Sequence, residues 1–125
     1  MQGLVDQNCE VTIRLVVGNT DLQRQVIDAV IDTGFTGFLT LPFSVLLNLG
    51  LRAYRREQGT LGDGSICIFD VYRGVVNWDG EFRRIDINAS DTTPLVGMGL
   101  LYGYRVQFEA IEGGIVTLQS LSSLG

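Results

Sequence analysis

From residue 9 to residue 17 every second side chain is apolar (Cys9, Val11, Ile13, Leu15, Val17), while Glu10, Thr12 and Arg14 point the other way. A period of two is the signature of a strand with one buried face, and no helix can gather those side chains on one side. The rest of the chain repeats this grammar in short runs divided by turn residues. Gly18-Asn19-Thr20-Asp21 has turn chemistry, and a second strand over about 25–31 returns from it. A short strand over 38–41 follows. Pro42 suits the first turn of a helix over 43–48, with Val45, Leu46 and Leu49 as its apolar face and Gly50 as its C-cap. Residues 51–57 carry Arg52, Arg55 and Arg56 and read as a solvated edge strand or loop.

Residues 59–65, Gly-Thr-Leu-Gly-Asp-Gly-Ser, suit a hairpin tip or a close backbone approach to a ligand. A long strand over 66–78, with a bend expected at Gly74, meets Asp79-Gly80, the preferred two-residue hairpin turn, and 81–87 returns. A polar loop over 88–93 leads to Pro94-Leu95-Val96-Gly97 and a short helical stretch. Strands over 104–111 and 115–119 flank Glu112-Gly113-Gly114, and 120–125 reads as a frayed tail. Many short strands, tight glycine turns and one or two short helices predict an all-β fold, a closed or strongly bent small β-barrel.

A chain of 125 residues, 46% hydrophobic and 18% charged, is expected to form one domain spanning 1–125, with a core over about 9–119. No apolar run approaches membrane-spanning length, and the first residues lack the basic-then-apolar pattern of a secretory signal. The expectation is a soluble, cytoplasmic protein without a membrane partner. A net charge of −5 and no basic patch argue against nucleic acid. Cys9 and Cys67 both fall in alternating runs and are expected to be small buried core residues, with a disulfide between neighbouring strands as the alternative.

The chain has no His, and all nine basic residues are Arg. Ser–His, Cys–His and Ser–Lys pairs, Schiff-base lysines, His-containing zinc sites and the Walker-type phosphate loop are therefore excluded. Any acid–base chemistry must rest on carboxylates, helped at most by Tyr or Cys; no metal or cofactor is expected. One carboxylate stands out. Ala29-Val30-Ile31-Asp32-Thr33-Gly34-Phe35-Thr36-Gly37-Phe38 is an apolar strand that ends on a lone Asp and runs straight into a Thr-Gly turn. Burying such a charge is costly, so its position calls for a reason. A hydrogen-bonded catalytic carboxylate is one; an Asp that opens a turn by capping nearby amides is the other.

Asp32-Thr33-Gly34, a glycine-rich hairpin further on, and Leu95-Val96-Gly97 before a short helix occur in an order that resembles the retropepsin-like aspartic proteases, their small bacterial members in particular. The resemblance spans roughly residues 9–119. It implies the small acid-protease β-barrel and an aspartic endopeptidase that hydrolyses peptide bonds in peptides or unfolded protein. Because the chain holds one Asp-Thr-Gly, it also implies a homodimer in which Asp32 of each subunit activates a shared water. By the same resemblance Thr33 locks the two loops together and Gly34 admits the substrate backbone. Phe35, Thr36 and Gly37 line the cleft, and Gly62, Asp63 and Gly64 form a closing flap. Leu95 and Val96 form an apolar subsite wall, and Gly97 packs behind the catalytic loop. The chain departs from the viral pattern at Phe35, where a small aliphatic residue is usual, at the charged flap tip Asp63, and at Gly99, where a polar residue is common. Viral relatives also interleave their termini in the dimer, and 120–125 is a weak strand candidate for that. Two other readings stay open: a catalytically silent retropepsin-like dimerisation or peptide-binding module, and an unrelated small β-barrel binding module.

Overall fold

The computed structural model describes residues 1–19 and 23–122; Thr20 and Asp21 of the expected turn and residues 123–125 of the expected tail lie outside them. The strands are β1 (Gln2–Val5), β2 (Val11–Gly18), β3 (Arg24–Ile31), β4 (Leu39–Leu41), β5 (Ala53–Thr60), β6 (Ile66–Trp78), β7 (Glu81–Ala89), β8 (Leu95–Val96), β9 (Tyr104–Phe108) and β10 (Ile115–Ser120). Two short helices, α1 (Phe43–Asn48) and α2 (Met98–Leu101), complete the described elements.

All ten strands among the described residues join one sheet in the order β5-β6-β7-β4-β8-β3-β2-β1-β10-β9. A second pairing, of Val17 and Gly18 in β2 with Val76 and Val75 in β6, closes the strands between β6 and β2 into a ring. The expected all-β, closed and bent architecture is therefore present. Its driving force is the alternation itself: Ile13, Leu15 and Val17 are buried, while Arg14 stays outside and pairs with Asp28 of β3 at 3.0 Å. One apolar cluster fills the interior, with Leu39, Leu41, Val76, Ile87 and Leu100 fully enclosed.

Turn chemistry sets the connections. Asp79 and Gly80 have φ of 57° and 85°, as a two-residue type I′ hairpin requires. Pro42 is the N-cap of α1, one position ahead of the expected first turn. At the other end Gly50 adopts φ 63°; its amide donates to Leu47 and that of Leu51 to Leu46, so the helix closes in a Schellman motif.

Two local expectations are corrected, and one strand is added. Cys9 is exposed, in a turn with φ 62° before β2 begins, and Cys67 is half-buried, so neither is a core residue and both are free thiols. The alternation includes Cys9 in sequence, but the turn closed by its amide on the Asp6 carbonyl takes it out of the strand. β9 ends at Phe108 rather than 111, because the chain turns at once: the Ile111 amide donates to the Glu109 carbonyl at 2.9 Å. β1 has no pattern in the sequence to announce it. It exists because β2 and β10 flank it, so closely at Gly3 that a Cβ there would lie 1.9 Å from the Thr12 carbonyl oxygen.

Candidate active site

Asp32 directly follows β3, where the apolar strand can no longer continue into the core. Its amide donates to the Val96 carbonyl at 2.9 Å, extending the parallel β3–β8 pairing by one residue. Its Oδ1 accepts the Gly34 amide at 2.9 Å, and the Phe35 amide donates to its carbonyl at 3.2 Å. This is an Asx turn, which fixes the carboxylate by one oxygen. Among the described residues nothing bonds Oδ2, and the side chain is only half-buried. Capping by the Asp is thus present, and it leaves one carboxylate oxygen available.

The rest of the loop is held from behind by the segment that enters α2. Gly97 donates to the Phe38 carbonyl, Met98 to that of Phe35 and Gly99 to that of Gly37, at 3.0, 2.8 and 2.9 Å. Thr40, a buried polar residue of β4, accepts the Leu95 amide on its hydroxyl at 2.9 Å. The chain from 94 to 99 is therefore bonded along its length to the stretch from 30 to 40. A β-carbon on Gly97 would sit 2.3 Å from the Gly37 carbonyl oxygen and 2.5 Å from the Phe35 ring. Only glycine fits there.

The same contacts explain two departures from the viral pattern. The Phe35 ring lies over Gly37 and Gly97, within 2.5 Å of where either would carry a Cβ, so two glycines make room for an aromatic side chain. Gly99 approaches the Gly37 carbonyl so closely that a Cβ would lie 2.9 Å from it, which leaves no space for a polar side chain.

Thr33 and Thr36 are exposed, and among the described residues the Thr33 hydroxyl has no partner. The expected subsite wall needs correction at Val96, which is completely buried and belongs to the core. In a two-residue strand successive side chains face opposite ways, so Leu95 alone of the pair is partly accessible. Sequence reasoning missed Thr40, whose place in an apolar strand was the available signal, since a buried hydroxyl calls for a hydrogen-bond partner.

The glycine-rich hairpin is the tip between β5 and β6. Gly62 and Gly64 stand in open space, and Gly64 has φ 86°. Asp63 Oδ1 accepts the Ser65 hydroxyl at 2.6 Å and its amide at 2.9 Å. These bonds, the hydroxyl's first, hold the Asp63 carboxyl below its ordinary value. Leu61, Ile66 and Ile68 expose large apolar surfaces along this arm. Among the described residues no hydrogen bond joins the tip to the Asp32 loop, so the structure brings 95–97 to Asp32 but leaves 62–64 as a separate arm. No group of His, Cys, Asp or Glu among the described residues is arranged to hold a metal.

No protein-family model and no curated protein matches the sequence. Two solved structures share its fold. A retropepsin-like aspartic protease from Rickettsia conorii superposes with a TM-score of 0.57 at 14% identity, over 96% of this chain and 90% of that one. The EIAV protease complexed with the inhibitor HBY-793 superposes with a TM-score of 0.53 at 18% identity, over 74% of this chain and 85% of that one. The chain has the retropepsin-like fold.

Proposed function

We propose that this retropepsin-like chain is an aspartic endopeptidase that works as a homodimer, with Asp32 of each subunit meeting across a two-fold axis. The observation that carries the reading is the Asp32 carboxylate itself, fixed through Oδ1 by the Gly34 amide and open at Oδ2. A chain without His or Lys has few other seats for hydrolytic chemistry. One carboxylate per chain is half of a water-activating pair, and an isologous dimer supplies the other half.

Two carboxylates held across one water share a proton, because like charges that close resist ionising together. The ionised carboxylate takes a proton from the water as its oxygen attacks the peptide carbonyl carbon. The protonated one keeps its proton and donates a hydrogen bond to the carbonyl oxygen as negative charge develops there. Collapse of the tetrahedral adduct breaks the C–N bond, and the leaving nitrogen takes up the proton gained from water. Water and peptide are consumed, acid and amine are formed, and the pair returns to its starting protonation.

Thr33, exposed and without a partner in one chain, supplies the hydroxyl that ties one loop to the other. Thr36, Gly37 and Leu95 line the substrate cleft, and the Phe35 ring supports the loop from behind. The arm bearing Gly62, Asp63 and Gly64 closes over an extended peptide, with Leu61 and Ile66 offering apolar contact and closure excluding water. The substrates proposed are peptides and unfolded protein segments, since a strand-like backbone fits between a flap and a glycine-rich loop.

The test is cleavage of a denatured protein, with products mapped by mass spectrometry, by the wild type and by Asp32→Asn. The variant should lose activity by about 100-fold or more while keeping its sedimentation behaviour. Undiminished cleavage by the variant would remove Asp32 from the chemistry. A peptide that binds and is never cut by the wild type at any acidic pH would favour the silent binding module.

A further inference from the structure

Fourteen acidic residues against nine arginines make the chain acidic, yet the fold gathers three arginines from three segments around one cavity. Arg52 comes from the link between α1 and β5, Arg73 from β6 and Arg84 from β7. The cavity has a volume of about 400 Å³, and among the described residues no acidic side chain lines it. Its size falls in the range of small-molecule sites, about 300–1,000 Å³.

Strand register brings these charges together. Val75 lies opposite Gly18 of β2, where the ring closes, and opposite Arg84 of β7 on its other side. Arg73 precedes Val75 by two residues, so it stands on the same face and diagonal to Arg84. All three arginines are exposed. Arg73 is already oriented: its Nη2 lies 3.6 Å from Asp86 Oδ1, and its guanidinium lies over the Tyr54 ring at 4.2 Å. Asp86 also accepts from Arg55 at 2.9 Å, so one carboxylate serves two cations. Among the described residues Arg52 and Arg84 have no ion pair and no hydrogen bond. Gathering three guanidiniums around one cavity costs repulsion, and a bound anion offsets it. Leu51 and Val75 add an apolar wall. The floor is braced, since Asn19 Nδ2 donates to the Leu49 carbonyl at 2.6 Å beside the Gly50 turn.

We infer that this cavity binds a small molecule carrying two phosphate groups, held by Arg52, Arg73 and Arg84. The planar fork of a guanidinium pairs with phosphate oxygens two at a time. Three cations match a ligand of two or three negative charges, whereas a single carboxylate would leave the others unpaired. A long polyanion needs basic residues well beyond one cavity, and the net charge of −5 opposes it. The site shares no residue with the Asp32 loop or with the segment from 94 to 99, so it does not depend on the protease reading.

Inorganic pyrophosphate, titrated into the full chain at neutral pH and low salt in a calorimeter, should bind saturably, and added sodium chloride should weaken it. Arg84→Gln and Arg52→Gln remove charges that have no partner among the described residues, so both variants should melt as the wild type does without ligand. Each should weaken pyrophosphate binding about tenfold or more. Arg105→Gln, which changes an exposed arginine outside the cavity, should bind as the wild type does. Binding that survives both cavity changes, or that falls equally in Arg105→Gln, overturns the site, as does the absence of saturable binding. A polyglutamate peptide that binds more tightly than pyrophosphate, with the same dependence on Arg84, would give the cavity to an acidic protein segment and overturn the phosphate ligand.

Discussion

The amide of Asp32 donates to the carbonyl of Val96 at 2.9 Å, which carries the β3–β8 pairing into the loop that holds the carboxylate. Asp32 is therefore positioned by backbone on one side and by the Gly34 amide on the other. The bonds from Gly97, Met98 and Gly99 to the carbonyls of Phe38, Phe35 and Gly37 extend the same support. A site that needs sub-ångström placement of a carboxylate is best built on such a frame.

Gly97→Ala tests that frame. The new methyl meets the Gly37 carbonyl oxygen at 2.3 Å, and backbone must move to admit it. The variant should lose about 1–3 kcal/mol of stability, the usual cost of overpacking, and cleavage should fall more than stability alone explains. A fully active, equally stable Gly97→Ala protein would contradict the close packing. Thermal unfolding and a cleavage assay read the two quantities.

Val96 and Leu95 should separate cleanly. Val96 is fully buried, so Val96→Ala should cost about 2 kcal/mol and leave KM unchanged in the folded fraction. Leu95→Ala, half-buried with its amide held by Thr40, should cost less than about 1 kcal/mol and raise KM. Denaturant unfolding beside steady-state kinetics decides it; the reverse pattern would return Val96 to the cleft.

Much of this was legible in sequence because period-two patterning and turn residues act locally. The β2 alternation, Asp79-Gly80 and the span of β6 needed no tertiary information. β1 was not legible, since four residues without alternation form a strand only when two neighbours bind both edges. Cys9 misled for a related reason: parity places it with Val11, and a positive-φ turn removes it. Asp32 could be singled out by its apolar setting, whereas Gly97 was named only through the family resemblance, because its packing against Gly37 and Phe35 joins segments distant in sequence. Which of Leu95 and Val96 faces the cleft was not legible, because in so short a strand parity is set by the neighbours.

The tip of the β5–β6 arm should respond to acid. Ser65 hydrogen bonds hold the Asp63 carboxyl below its ordinary value, which means that they favour the charged form. Their contribution to the tip is full above the ordinary carboxylate value and disappears as pH falls through the depressed one. The Ser65 amide resonance should therefore titrate with a midpoint below the ordinary value, and Asp63→Asn should abolish that titration. A midpoint at or above the ordinary value would contradict the bonded tip.

The claim that two copies of Asp32 make one active site is tested most directly by mixing subunits. Wild-type protein is equilibrated with Asp32→Asn protein at fixed total concentration, and cleavage is followed against the wild-type fraction. If each site needs Asp32 from both chains, activity falls as the square of that fraction, to about a quarter in an equal mixture of freely exchanging dimers. Activity that falls in simple proportion, to about a half, would mean that one chain suffices and would contradict the account.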